Sequence, residues 1–276
     1  MVTVTSPKVH MGTITGGEAR ELYPENPVIL LPMGSHEDQG PHAPMGDYLL
    51  AEKIAELAAL RASNAGTRTL VAPVLPFGGA DHFGPMIGGI ALSEETLLAT
   101  IRDMVTNLHR HGLTRLVVIN GHGGNVNAIA SVGREVYRRT GMLLPSLYLW
   151  RIGYAMLVRL LGPENAKTVS GHGADPLTSI GMHLFPDMVR RDMIPAPAPL
   201  KRNAALDLPF TSLGAASFDG AEVGLPVEYD DVYNKGVGTG DPNGSTAETG
   251  AALVEELTDI VARFAIHFAA RTPARA

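Results

Sequence analysis

The 276-residue chain contains no cysteine. That excludes disulfides, thiolate metal sites and a cysteine nucleophile, and leaves His, Asp and Glu as the side chains able to hold a metal. Charge is scarce too, at 18% of residues, with 22 basic against 28 acidic side chains. A net charge of −6 and no run of basic residues give nucleic acid or an anionic membrane nothing to hold. No apolar stretch approaches the roughly 20 residues of a membrane span. Residues 1–7 carry neither a basic nor an apolar segment, so no secretory signal is expected and a cytoplasmic location is. What remains is 45% apolar, which fits a globular chain with a sizeable core.

Strand-like and helix-like segments alternate over the first 160 residues. Apolar runs at 28–31, 70–75, 115–119 and 147–150 read as strands. Between them, 48 to about 62, 94 to about 110 and 127–139 carry helical periodicity. In the second of these, Leu97, Ile101, Met104, Val105 and Leu108 share one face behind a Ser93 cap. This alternation implies right-handed βαβ units and a parallel sheet covered on both faces. The stretch 192–241, rich in Pro, Gly and Asp, reads as an excursion of loops and short strands on a single domain spanning 1–276. A capping-box spacing, Ser245 to Glu248, opens a long C-terminal helix with Leu253, Leu257, Ile260, Val261, Phe264 and Phe268 on its core face.

Polar clusters follow the strands. After the first come Glu37, Gln39, His42 and Asp47; after the second, Asp81 and His82; after the third, His122. Trp150 and Arg151 end the fourth, and a further cluster, Ser170-Gly171-His172-Gly173-Ala174-Asp175, precedes a short helical pattern. The carboxyl ends of parallel strands share one edge, where ligands bind, so these residues are expected to converge. Carboxylates and imidazoles in a thiol-free chain point to Zn²⁺ or Mn²⁺. Asp47 could instead cap the helix that follows it, and Asp81-His82 could be a plain turn. The Gly121-His122-Gly123-Gly124 run lacks a nucleotide-binding glycine pattern, which argues against a phosphate site.

Gly34-Ser35-His36-Glu37-Asp38-Gln39-Gly40-Pro41-His42 and Asn120-Gly121-His122-Gly123-Gly124-Asn125 resemble two motifs of the creatininase (creatinine amidohydrolase) family. Gly171 to Ser179 and Gly240-Asp241-Pro242 are similar to later family segments, in the same order. The resemblance implies a three-layer α/β/α sandwich with a mainly parallel central sheet. It also implies a homo-oligomer, often a hexamer, and a metal centre that hydrolyses a C–N bond in a small, sometimes cyclic, amide. Position by position, it makes Glu37, Asp47 and His122 metal ligands, with Gln39 a weak one. It makes His172 the proton-handling residue; from their places in the polar clusters, Asp175 is expected to join His172 in the catalytic group, and His42, His82 and Trp150 to face the substrate.

Three departures bear on the metal. The family's histidine two residues after the glutamate is Gln39 here, and its glutamate before Thr-Ser is Leu177. Asp47 also comes one residue sooner after His42 than the family's aspartate does. The first two remove ligands of a second ion, so one metal per chain is expected rather than two. The alternatives are a catalytically degenerate ligand-binding or assembly protein, and a non-hydrolytic lyase or isomerase.

Overall fold

The computed structural model describes residues 7–79, 82–233 and 236–271. A short helix, α1 (Gly16–Leu22), is closed by a reciprocal capping box between Thr15 and Glu18. The chain then alternates β1 (Val28–Met33), α2 (Asp47–Asn64), β2 (Thr69–Val71), α3 (Glu94–Arg110), β3 (Leu116–Asn120), α4 (Val126–Thr140) and β4 (Ser146–Tyr148). The four strands form one parallel sheet in the order β2-β1-β3-β4.

All residues of β1 and β3 are buried, the mark of strands covered on both faces. Val28, Leu30, Val117 and Ile119 point to one side, onto α2 and a long C-terminal helix, whereas Ile29, Leu31, Met33, Leu116 and Val118 point to the other, onto α3 and α4. The result is the expected helix–sheet–helix sandwich. Alanines at 51, 55, 58, 59 and 62 line the buried face of α2 and let it lie close to its neighbours.

After β4 come α5 (Leu149–Leu161), α6 (Pro163–Val169) and α7 (Leu177–Leu184). The expected strand through Trp150 therefore stops at Tyr148. Leu149, Trp150, Gly153, Met156 and Leu157 are the buried residues of α5, and that spacing is helical, not alternating. The second strand is also shorter than its apolar run. Pro73 has no N–H to give a ladder, and the chain rejoins the sheet only at a bridge between Leu75 and Met33.

The excursion contains β5 (Arg202–Asn203), β6 (Leu208–Ser212), β7 (Ala215–Phe218) and β8 (Ala221–Gly224), an antiparallel sheet in that order, then a single helical turn, α8 (Tyr229–Val232). The C-terminal helix α9 (Ala247–Arg271) starts one residue later than the predicted box. Its cap is Thr246, whose Oγ1 accepts from Thr249 N at 3.1 Å. Gly250 on α9 lies against the Ser179 carbonyl of α7 so closely that no Cβ would fit. Among the described residues no helix is long and apolar enough to cross a membrane.

Candidate active site

The strand order reverses direction between β1 and β3: the chain leaves β1 for β2 on one side and β3 for β4 on the other. Loops leaving such a pair diverge and open a crevice at the carboxyl edge of the sheet. Glu37 and Asp47 follow β1, and His122 follows β3, so both loops deliver their side chains into it. The 34–46 loop is closed by Glu37 N donating to Met45 O at 2.8 Å. Gly34 is needed there, because a Cβ would collide with the Asp47 carboxylate and the Tyr48 backbone.

Glu37, Asp47 and His122 are all buried, and each offers a ligand atom within 4.8 Å of the others. His122 Nδ1 lies 3.4 Å from Glu37 Oε1 and 3.4 Å from Asp47 Oδ2. Its Nε2 is 3.0 Å from the Gly79 carbonyl. A carbonyl can only accept, so Nε2 carries a hydrogen and Nδ1 is the nitrogen that faces the carboxylates, where it holds either a proton or, as a lone-pair donor, a metal ion. Burial disfavours charge on all three groups. Nevertheless the two carboxylates hold His122 well above the usual histidine range, and His122 draws Glu37 below the usual carboxylate range. For Asp47 burial prevails, pushing it up to about 6. The point between these atoms therefore attracts a cation.

Asp47 does not cap α2 with its side chain. Its Oδ1 accepts from Ser35 N at 2.5 Å and its Oδ2 from Ser35 Oγ at 3.3 Å, which turns it toward His122. The shortened spacing after His42 thus leaves Asp47 within the cluster. The two asparagines of the Asn120–Asn125 motif fix the loops. Asn120 bonds both the N–H and the carbonyl of His122, while Asn125 donates to Gly34 O at 3.0 Å and accepts from Gly79 N at 3.0 Å.

Gln39 Nε2 donates to Glu37 Oε1 at 2.9 Å. Since a carboxylate cannot donate, this fixes the amide's orientation, and it leaves Gln39 Oε1 buried without a partner among the described residues. His172 sits across the cavity with Nδ1 3.9 Å from Glu37 Oε1 and Nε2 2.6 Å from the Asp38 carbonyl. Again the carbonyl forces the hydrogen onto Nε2 and frees Nδ1. Burial, the largest influence, lowers the proton affinity of this imidazole.

These residues line a cavity of about 430 Å³ that also includes His82, Phe83, Asn127, Tyr148, Trp150, Tyr154, Leu177 and Leu213. Trp150 is a buried wall residue whose Nε1 donates to the Gly121 carbonyl. Two predicted residues lie elsewhere. His42 is buried outside the cavity lining, its Nε2 3.1 Å from Thr178 Oγ1. Asp175 spends both oxygens on Ser179, accepting from its N at 2.9 Å and its Oγ at 2.8 Å, and so anchors the start of α7. In place of the expected substrate-facing His42 and catalytic Asp175, the structure shows both side chains bonded within the segment that leads into α7. Asp81 lies outside the described residues. Phe83, Asn127, Tyr148, Tyr154 and Leu213 were not read from the sequence, since none belongs to a polar cluster that follows a strand.

Two carboxylates and one imidazole lone pair, without thiolate, suit Zn²⁺ or Mn²⁺. Fold and site together define a class: α/β/α proteins with a cation-binding centre on the rim of a parallel sheet. The sequence profile of the creatininase family, described as creatinine amidohydrolase, matches residues 12–265. The chain belongs to the creatininase family, hydrolases that act on amide C–N bonds.

It is 29% identical over 194 residues to the mycofactocin precursor peptide peptidase of Mycobacterium ulcerans (strain Agy99), covering 67% of this chain and 68% of that one. Identity to the creatinine amidohydrolase of Pseudomonas putida is 31% over 185 residues, covering 60% and 68%. A solved manganese creatininase matches with a TM-score of 0.73 at 25% identity, covering 94% of this chain and 97% of that one.

Proposed function

We propose that this protein hydrolyses a C–N bond of a small amide, cyclic amides included, with one Zn²⁺ or Mn²⁺ held by Glu37, Asp47 and His122. The observation that carries the reading is the convergence of those three buried side chains with His122 Nε2 anchored on a backbone carbonyl. When bound, the ion lowers the pKa of water and polarises the scissile carbonyl. The chain's own groups do the rest. His172 presents Nδ1 to the cavity, where it takes a proton from the attacking water and returns it to the departing nitrogen. Gln39 steadies Glu37, and Phe83, Tyr148, Trp150 and Tyr154 wall the cavity.

A single ion is supported by the fate of the two altered positions. Gln39 offers a neutral amide oxygen where the family has an imidazole, a weaker ligand, and Leu177 offers the cavity wall no donor atom. A volume near 430 Å³ suits a small molecule or the end of a peptide. The same reading carries a cytoplasmic homo-oligomer, a hexamer among its forms. The exposed apolar Ile87 and Leu206 support the association, and sedimentation would measure it.

The test is hydrolysis of a panel of lactams, hydantoins and formamides with Zn²⁺ or Mn²⁺, beside metal analysis of protein purified without chelator. One ion per chain and activity lost in Glu37→Gln and His122→Ala are expected. Two tightly held ions would overturn the single-metal site, and activity surviving both substitutions would overturn the ligand assignment. Product unlabelled after reaction in ¹⁸O-water would identify a lyase instead. Ligand binding without turnover would identify a degenerate binding protein.

A further inference from the structure

Among the described residues the His172 imidazole makes one hydrogen bond, from Nε2 to the Asp38 carbonyl. Rotation about the bond to an imidazole ring is soft, so one hydrogen bond leaves the direction of Nδ1 poorly fixed. The ring is not free, however. Phe83 stacks on it at 4.6 Å between centroids and 27° between planes, and Tyr229 meets it at 5.0 Å and 59°. Phe83 and Tyr229 also touch each other, at 4.7 Å, so the three rings close a triangle.

Each corner comes from a different part of the chain. Phe83 lies on the loop after β2, His172 on the segment before α7, and Tyr229 on α8 of the excursion. The triangle is tied down by Tyr229 N donating to His82 O at 2.8 Å. It is backed by Tyr233, 4.6 Å from Tyr229, whose hydroxyl accepts from Leu213 N at 3.1 Å. Tyr229 is completely buried and outside the cavity lining, and its own hydroxyl has no partner among the described residues. An unpartnered buried hydroxyl is a cost, so the useful part of this side chain is its ring.

We propose that Tyr229 is a positioning residue: with Phe83 it clamps the His172 imidazole so that Nδ1 stays aimed at the reacting centre. The excursion is thereby part of the catalytic machinery through a residue that substrate does not touch. The inference rests on the proton-handling part given to His172 above, and its test separates the two.

The zinc-loaded full chain, labelled with ¹⁵N at histidine, is observed through its imidazole two-bond couplings, with His172→Gln assigning the resonances. In the wild type and in Tyr229→Phe, His172 is expected as a single Nε2–H tautomer. In Tyr229→Leu its two nitrogens shift toward averaged or exchange-broadened signals. On the best-cleaved member of the amide panel, Tyr229→Leu is expected to lower kcat about tenfold or more. KM should stay within about threefold, with Tyr229→Phe near wild type.

Phe83→Leu, which opens the other side of the clamp, gives the same tautomer change and fall in kcat and stands in if Tyr229→Leu does not fold. Wild-type tautomer and kcat in the leucine variants would overturn the clamp. A wild type that cleaves nothing in the panel would overturn the hydrolase reading instead, while the tautomer measurement still decides the clamp.

Discussion

The rim of the parallel sheet and the antiparallel excursion both face the same cavity, yet they are built in opposite ways. At the rim, Glu37, Asp47 and His122 leave strands buried on both faces, and asparagine and backbone contacts pin them. The excursion has short, largely exposed strands over a small cluster of Phe210, Ala216 and Val232. Elements with little buried apolar area open more readily than core strands. The difference teaches a division of labour: the rigid rim holds the charge-bearing ligands, and the looser excursion supplies wall and ring contacts.

If the rim alone makes the cation site, its variants should have the largest effects. His122→Ala or Glu37→Gln should abolish tight metal binding and lower kcat/KM by about 10³-fold or more, a loss of several kcal/mol of transition-state stabilisation. Metal analysis and steady-state kinetics would show it. Next, removing the ion by chelation should lower stability, because the folded chain alone presents the three ligands together. Restoring Zn²⁺ at a hundredfold excess over Kd should return about 2.7 kcal/mol, read by denaturant unfolding.

A smaller effect is expected from Gly78→Ala. The new Cβ would lie 2.8 Å from both His122 Cδ2 and the Gly34 carbonyl, pressing on a ligand and on the loop before another. Metal affinity should fall about 10–100-fold, as when a ligand's supporting contacts are lost, with chelator competition as the measurement. The smallest effect belongs to the excursion's outer face. Phe218→Ser, at a residue 56% exposed, should change stability by no more than about 0.5 kcal/mol and leave metal affinity untouched. A large loss of metal affinity there would break the division between the two regions.

Much of the rim was legible beforehand. Apolar β-prone runs ending in glycine-lined turns with His, Glu and Asp marked both the strands and their carboxyl edge. Glu37, Asp47 and His122 follow from that local pattern. The segment around His172 was legible only by half. His172 reaches the cavity, but its neighbour Asp175 turns away to hold Ser179, and a spacing of three residues in a loop does not say which side chain faces in. Trp150 was placed at the right edge on the wrong element, because a short apolar run fits strand and helix alike. Phe83, Tyr154 and Leu213 carried no local signal, since an isolated aromatic or leucine reads as ordinary apolar content.

The sequence by itself determined the alternation of strands and helices, the chemistry of a thiol-free metal site and the loss of two family donors at Gln39 and Leu177. Those are local properties, fixed by residue type and spacing. The tertiary structure decided which nitrogen of His122 faces the carboxylates and how Gln39 is turned, because a backbone carbonyl or a carboxylate elsewhere in the fold dictates each hydrogen. It also decided that rings from three distant segments enclose His172. Such contacts depend on where separate loops meet at the sheet's edge, and no spacing within any one of them encodes that meeting.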